Sequence, residues 1–580
     1  IIYKLKRPAG FTLNTTGFRP NKNLRRMNML LGIDVGGTHT DAVLIDEQKG
    51  IISKFKVKTD KRNLLDTVIN SLKEVTSGFD VKKITNVNLS TTLSTNAIVE
   101  NRLEKTALFL SSGPGINPSN FCIGKNTYII NGSIDHRGNE VASLDTDYIS
   151  KALRECRAEG IKVFAAATKF STRNKSHETE IAEAIGDAAD YVTMGHELSS
   201  QLSFPRRAAT AYYNSAVWRI YNSFIDAIIG GLKNIGIDAP VNILKADGGT
   251  MPLAVSRKIP VESILSGPAA SIMGIIALSS IKDDSVILDI GGTTTDIAIF
   301  AAGSPLLDKE GTSLDGIPTL VRSLQNRSIG IGGDSVIKII NGEIIVGPER
   351  EGPCLADGGD VPALVDALNY RGIIKYMDTA RSSEGIRTLA EKSKLSPDDI
   401  SEKAVKFSIH KIRDEINRIL EEINQKPVYT IHEMVHGHKI VPKKMYLIGG
   451  PAHALSSVMS DEIEILVPEN YDVANAIGAA LARTTFETEL FADTGKGTML
   501  MPNIGIEEKV ARKYSLEEAE ADAKKYAREY LEKAGYRITD SDISIIESSS
   551  FRMINDYYAS GNDIRVKCQV KPGVVMHLHK

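Results

Sequence analysis

Two octapeptides carry the residues best suited to chemistry: Asp34-Val35-Gly36-Gly37-Thr38-His39-Thr40-Asp41 and Asp289-Ile290-Gly291-Gly292-Thr293-Thr294-Thr295-Asp296. Paired glycines let the backbone approach a ligand closely and turn several amide N–H groups towards one point, which suits phosphate oxygens. The hydroxyls of Thr38, Thr40, Thr293 and Thr295 add donors. Asp34 and Asp289 are placed to hold Mg²⁺ or its waters beside the phosphates. One Asp-x-Gly-Gly-Thr alone is a weak signal, because an Asx-type turn accounts for it. A near-identical pair is better explained by duplication of a phosphate-binding half-domain. Asp41 and Asp296 have an equal claim to a structural role, each bonding its own turn. No Gly-x4-Gly-Lys-Ser/Thr occurs, so the chain is not a P-loop protein.

The elements around these residues are legible. Each octapeptide follows an apolar run (29 to 33, 286 to 288) and precedes another (42 to 45, 297 to 300), which predicts a β-hairpin with the glycines at its tip. Two facing hairpins would clamp a nucleotide from both sides. Further strand-to-glycine turns stand at Asp247-Gly248-Gly249, at Gly330 to Ser335 with Gly332 and Gly333, and at Gly449-Gly450-Pro451. Small-residue helices are expected from Ser266 and over Asn475 to Ala482. Strand-like and helical runs alternate over most of the length, the pattern of an α/β protein. Beyond about residue 490 the pattern changes to one charged helix (Ser515 to Lys533) and two strand-like runs, a small α+β unit.

At 580 residues the chain is long enough for several domains. A composition of 42% hydrophobic and 24% charged residues is that of an ordinary globular protein, and a net charge of −2 gives no reason to expect nucleic acid or an anionic membrane as partner. No apolar run reaches the length of a membrane span. Cys122, Cys156, Cys354 and Cys568 are scattered, which argues against a zinc ribbon or iron–sulfur site and fits a reducing, cytoplasmic setting. Residues 1–28 are basic, without an acidic residue, and read as a disordered leader or as translated sequence upstream of a start near Met27 or Met29.

The motif order resembles the actin-like ATPase superfamily, in which two ribonuclease-H-like domains each offer a phosphate hairpin. On that resemblance Gly449-Gly450 is the adenosine turn and 475–482 a hinge helix. The match narrows to the hydantoinase A/5-oxoprolinase family. It rests on Gly32 to Asp41, Ser90-Thr91-Thr92-Leu93-Ser94-Thr95-Asn96, Ile134 to Gly138, Arg206 to Ala211, Asp247-Gly248-Gly249, Ser266-Gly267-Pro268-Ala269-Ala270, Asp289 to Asp296 and Val346-Gly347-Pro348-Glu349. The resemblance implies duplicated actin-like domains at 29–195 and 196–488, followed by the α+β region 489–580. Departures are His39, where an aromatic residue is common, Asp334, where another glycine is usual, the segment 111–131, and everything beyond 490.

Family enzymes couple ATP cleavage to the opening of a lactam or cyclic imide, and relatives use ATP to carboxylate ketones. An amide carbonyl is a poor electrophile; phosphorylating its oxygen makes a leaving group, so the protein must mainly position groups and neutralise charge. The resemblance implies Mg²⁺-ATP, Asp34 on the metal, and Asp289 orienting a nucleophile or metal-bound water. The amides of Gly36-Gly37 and Gly291-Gly292 would lie on the phosphates. It also implies a hydantoinase B-type partner subunit. The ATP-binding subunit of a ketone carboxylase and a non-catalytic ATP-gated scaffold are the alternatives. His432-Glu433-Met434-Val435-His436 fits a zinc-protease pattern, but Pro427, Gly437 and the capping box from Thr430 to Glu433 favour a short capped helix. His136 and His177 are expected to be structural.

Overall fold

The computed structural model describes residues 28–60, 63–308, 310–425, 439–459, 463–536, 538–555 and 558–578. The expected helix at 430–436 and residues 1–27 lie outside them. Asn28 is described, and its carbonyl accepts from the Glu47 amide.

The same sheet plan occurs twice. In the first copy the strand order is 250–252, 241–244, 84–91, 29–35, 39–46, 50–58. Met29–Val35 runs antiparallel to His39–Asp46 and parallel to Ile84–Thr91. In the second copy Ser285–Ile290 runs antiparallel to Thr295–Ala301 and parallel to Lys444–Ile448, which pairs with Glu464–Leu466. A hairpin on one side and parallel strands on the other make both sheets mixed, with the glycine tips at corresponding corners. The fold is the α/β, actin-like ATPase type expected from the duplicated motif.

Alternation along the first strand explains its burial on both faces. Leu31, Ile33 and Val35 pack into a core with Val68 and Leu72 of helix Leu64–Thr76 and Tyr221 and Ile225 of helix Phe204–Asn234. Leu30, Val43 and Ile45 face the other way, against Ala476, Ile477 and Ala480 of helix Ala474–Leu481. Gly32 lies on this second face, where a Cβ would come 2.3 Å from the Ala476 carbonyl oxygen. Helix 474–481 can therefore lie directly on the strand that ends in Asp34. It packs equally closely on helix Ser266–Leu278: Cβ atoms at Gly274 and Gly478 would fall 2.1 Å from Ala474 O and 1.9 Å from Ala270 O.

A four-stranded parallel sheet, in the order 191–194, 163–168, 106–111, 127–129, is inserted into the first half. The C-terminal region holds more strands than its sequence suggests. Five of them, in the order 506–509, 498–501, 486–493, 558–570, 543–555, form an antiparallel sheet covered by helix Leu516–Lys533. The three shorter strands were missed because runs of four to eight residues with few β-branched positions give little periodicity. Ser515 and Glu518 form the capping box that starts the helix.

Candidate functional site

The two hairpin tips face each other. A Cβ on Gly292 would meet the Thr38 methyl at 3.6 Å, while one on Gly37 would meet nothing within 4 Å. Each turn is closed by one backbone bond, Gly36 N–H to His39 O at 3.0 Å and Gly291 N–H to Thr294 O at 2.9 Å. Among the described residues, the amides of Gly37, Thr38, Gly292 and Thr293 have no protein acceptor. They are donors held at a tip, the arrangement that binds phosphate oxygens.

Other residues singled out from sequence have their donors already engaged. The Thr40 hydroxyl meets that of Thr59 at 3.0 Å, and Thr295 donates to Ile331 O at 2.7 Å; both side chains are fully buried. Gly332 N–H donates to Ser335 Oγ and Gly333 N–H to Gly291 O, so this turn buttresses the second hairpin. Asp334 extends the buttress: its amide donates to Gly292 O, and its carboxylate holds Arg350 at 2.9 Å and the Cys354 amide at 3.0 Å. Gly449 (φ +88°) passes close by Asp289, and a Cβ there would lie 2.7 Å from Oδ1. Gly450 opens onto free space, and Pro451 lies beside Gly333.

Four carboxylates stand at the hairpin bases in two cross-strand pairs, Asp34 opposite Asp41 and Asp289 opposite Asp296. Asn475, on the helix that crosses both halves, ties the pairs together. Its Nδ2 lies 3.4 Å from Asp34 Oδ2 and 3.5 Å from Asp289 Oδ2. Ser271, on the partner helix, lies 2.5 Å from Asp289 Oδ2 and 3.1 Å from Asn475 Oδ1. Sequence reading missed both residues in their roles. Each is one polar residue within a small-residue helix, the only available signal.

Burial dominates the titration of this cluster. It pushes the Asp34 carboxyl up to about 7, with Asp41 and Asp289 adding repulsion and Ser90 and Asn475 opposing it. Asp296 is likewise raised to about 7 by burial and by Asp289, and Asp289 itself is raised by burial. Asp41 rises only to about 6, because Lys56 lies 3.0 Å away. The expectation that Asp41 and Asp296 bond their own turns is corrected: Asp41 pairs with Lys56 on the next strand, and Asp296 accepts from Ser328 on another. Neighbouring strands offered stronger partners than the turn amides, which point outward at the tips.

The oxygens Asp34 Oδ1 and Asp41 Oδ1 are buried without a protein hydrogen bond. Uncompensated buried carboxylate oxygens are costly, and a hard divalent cation is the natural counter-charge. No group of three or more acidic, His or Cys side chains poised for a metal exists among the described residues. The two unpartnered carboxylate oxygens of Asp34 and Asp41 fit Mg²⁺, which commonly takes one or two carboxylates and completes its shell with water and phosphate. Cations surround the tips. His39 is held neutral, lowered to about 4 by burial and then by Lys56, Lys58 and Arg350, with Asp357 opposing. Lys58 reaches Asp357 at 2.5 Å and Lys54 reaches Asp472 at 3.0 Å, pairs that link the two halves across the cleft.

Sequence models of one family match this frame on both halves: "hydantoinase/oxoprolinase N-terminal region" over residues 30–188 and "hydantoinase/oxoprolinase" over 207–488. The chain belongs to the hydantoinase/oxoprolinase family. It is 27% identical over 376 residues to the caprolactamase subunit alpha of Pseudomonas jessenii, covering 58% of this chain and 53% of that one. It is 23% identical over 546 residues to the 5-oxoprolinase of Saccharomyces cerevisiae, covering 80% of this chain and 42% of the relative. An uncharacterised protein of Methanocaldococcus jannaschii is 24% identical over 507 residues, 79% of this chain and 73% of that one. Among solved structures, nucleotide-free acetone carboxylase superposes with a TM-score of 0.70 at 17% identity, covering 95% of this chain and 88% of that one. The ATP-dependent caprolactamase of P. jessenii superposes at 0.64 and 20% identity, covering 93% and 87%. Both likenesses speak to the fold.

His136 is exposed, and His177 is buried with Nε2 3.2 Å from Glu140. No helix among the described residues is long and apolar enough to cross a membrane.

Proposed function

We propose that the chain is the ATP-binding subunit of a hydrolase that opens a lactam or cyclic imide of the hydantoin or 5-oxoproline type. The observation that carries this reading is the contact of Asn475 with Asp34 and Asp289 at once, beneath two facing tips with unspent amide donors. In this reading the tip amides of 37–38 and 292–293 hold phosphate oxygens, Asp34 and Asp41 hold Mg²⁺, and Gly449-Gly450 faces the adenosine. ATP supplies the phosphoryl group that makes the amide oxygen a leaving group. Asp289, oriented by Ser271 and raised by burial, accepts a proton from the nucleophile.

Residues 29–195 and 196–488 act as two actin-like domains closing on small-residue hinge helices, with 489–580 attached as a further unit. A B-type partner subunit completes the enzyme. This is supported by two relatives that are themselves subunits, a caprolactamase subunit alpha and an acetophenone carboxylase gamma subunit, and by relatives that extend well beyond the region this chain matches. A cytoplasmic location, where Mg²⁺-ATP is at hand, belongs to the same proposal. The acetophenone carboxylase relative, 24% identical over 406 residues, supports a second reading as the ATP-binding subunit of a ketone carboxylase.

Mg²⁺-ATP hydrolysis by the purified chain, with and without a B-type partner, separates these readings. Stimulation by 5-oxoproline or a hydantoin supports the hydrolase. Stimulation by a ketone with bicarbonate supports the carboxylase. ATP binding without stimulation by either class leaves an ATP-gated scaffold.

A further inference from the structure

Asp334 stands where the family pattern has another glycine, and its carboxylate reaches the tip of the second hairpin. A Cβ on Gly292 would lie 2.8 Å from Asp334 Oδ2 and 3.6 Å from the Thr38 methyl, so this carboxylate borders the gap between the two tips. Left alone beside the amides of Gly292 and Thr293, it would repel a phosphate. Arg350 cancels that charge, its Nη2 donating to Asp334 Oδ2 at 2.9 Å.

The pairing leaves most of the guanidinium unspent. Arg350 Nε is buried with no hydrogen-bond acceptor, and Nη1 has none among the described residues. The side chain is 26% exposed, so a ligand between the tips can reach it. Its charge is felt at the first hairpin too: His39 is held neutral by burial and then by Lys56, Lys58 and Arg350, with Asp357 opposing. The other cations around the tips are committed. Lys56 is held by Asp41 at 3.0 Å and by the Asp472 carbonyl at 2.9 Å, Lys54 by the Asp472 carboxylate and Lys58 by Asp357.

Fastening the loop that carries Arg350 does not require its guanidinium. Asp366, in helix Leu364–Tyr370, is fully buried and accepts from the amides of Leu355, Ala356 and Ala363 at 2.9, 3.0 and 2.9 Å. The Cys354 amide donates to Asp334 Oδ1 at 3.0 Å, and the Val336 amide to Glu349 O at 3.1 Å. Backbone bonds thus hold the loop on both sides of Arg350. What the guanidinium adds is a positive charge with spare donors beside the phosphate-binding amides. Charge spreads over the outer oxygens of a phosphoryl group in transfer, and a planar, permanently charged donor fork is suited to meet it.

We propose that Arg350 contacts the terminal phosphate of the nucleotide, with Asp334 holding the other edge of the guanidinium. It stays on the phosphoryl group as the bond to ADP breaks, ADP leaving with the electron pair, and the bond to the substrate's amide oxygen forms. The assignment rests on the proposed function, in which the tips hold ATP.

The test is calorimetric titration of the purified full chain, in Mg²⁺, with ADP and with the non-hydrolysable β,γ-imido analogue of ATP. The unaltered chain is expected to bind both. Arg350→Met is expected to weaken the ATP analogue about tenfold or more and to leave ADP within about twofold, as the loss of one charge-assisted bond to the terminal phosphate requires. Arg350→Lys should keep part of the difference. The double variant Arg350→Met/Asp334→Ala removes both charges and should keep the loss. Recovery of affinity in it would show that methionine had merely unmasked Asp334, and would overturn the proposal. Equal losses for both nucleotides in Arg350→Met, or no loss, would overturn it as well while leaving the hairpin clamp in place. Failure of the unaltered chain to bind either nucleotide would overturn the clamp itself and the contact with it. If the variants do not fold, phenylglyoxal modification of the unaltered chain, mapped by peptide mass spectrometry, decides the matter. Arg350 is expected to be protected by the ATP analogue and not by ADP, and equal protection by the two would overturn the contact.

Discussion

The hydroxyl of Ser271 lies 2.5 Å from Oδ2 of Asp289, joining helix Ser266–Leu278 to the base of the second hairpin. Relative movement of the two halves would therefore be felt at the carboxylate that the proposed chemistry uses.

If Asp289 accepts the proton, Asp289→Ala retains ATP binding and loses turnover by about 10²–10⁴-fold, the usual contribution of a positioned base. Ser271→Ala, which only removes an orienting bond, reduces turnover about tenfold. Nucleotide affinity and steady-state ATPase rates on both variants check this. Unchanged ATPase in Asp289→Ala would remove Asp289 from the mechanism.

The carboxylate cluster predicts a pH dependence of stability. Asp34 and Asp296 titrate at about 7 and Asp41 at about 6 in the folded chain, against an ordinary value of 3.8. The folded state thus holds protons that the unfolded state has released. The stability these groups confer is complete below about pH 4 and is lost as pH rises through about 7. Thermal unfolding midpoints of the nucleotide-free chain should fall as pH rises from about 4 to about 7 and level off above that. Mg²⁺ alone should recover part of that loss at pH 8 in the unaltered chain and not in Asp34→Asn. Midpoints independent of both pH and Mg²⁺ would contradict the burial argument.

Gly37 offers a cleaner probe of phosphate contact than any charged residue. A Cβ there meets no protein atom within 4 Å, and its backbone does not need a positive φ. Gly37→Ala should therefore leave the unfolding midpoint unchanged while weakening Mg²⁺-ATP binding about tenfold or more, because the methyl group occupies the ligand's side of the tip. A lowered midpoint with intact affinity would reverse the assignment.

At Gly478 the opposite is expected. A Cβ there would lie 1.9 Å from the Ala270 carbonyl oxygen, a backbone atom that can yield only if the two helices separate. Gly478→Ala should cost about 1–3 kcal/mol of stability, the usual range for overpacking. It should also weaken nucleotide binding by disturbing Asn475 three residues earlier. Denaturant unfolding midpoints and ATP affinity measure the two effects.

The repeated octapeptide was enough to predict both hairpins and the duplicated α/β plan, because glycine pairs between apolar runs leave the backbone few alternatives; the family resemblance needed the further motifs between Ser90 and Glu349 as well. The small-residue helices were also visible, since only Gly and Ala allow such close contacts. What the sequence could not show was which donors remain unspent. Thr40 and Thr295 look like Thr38 and Thr293 on paper, yet strand alternation buries the first pair and leaves the second at the tips. Asn475 and Asp34 are separated by 441 positions, and Arg173, in the turn after strand Val163–Thr168, lies over the ring of Phe491 in the C-terminal sheet. Local periodicity carries no information about such distant partners. Hairpin geometry follows from short-range backbone preference, whereas the bridging of Asp34 to Asp289 and the contact of Arg173 with the C-terminal unit exist only once helices and sheets pack, and only the tertiary structure decided them.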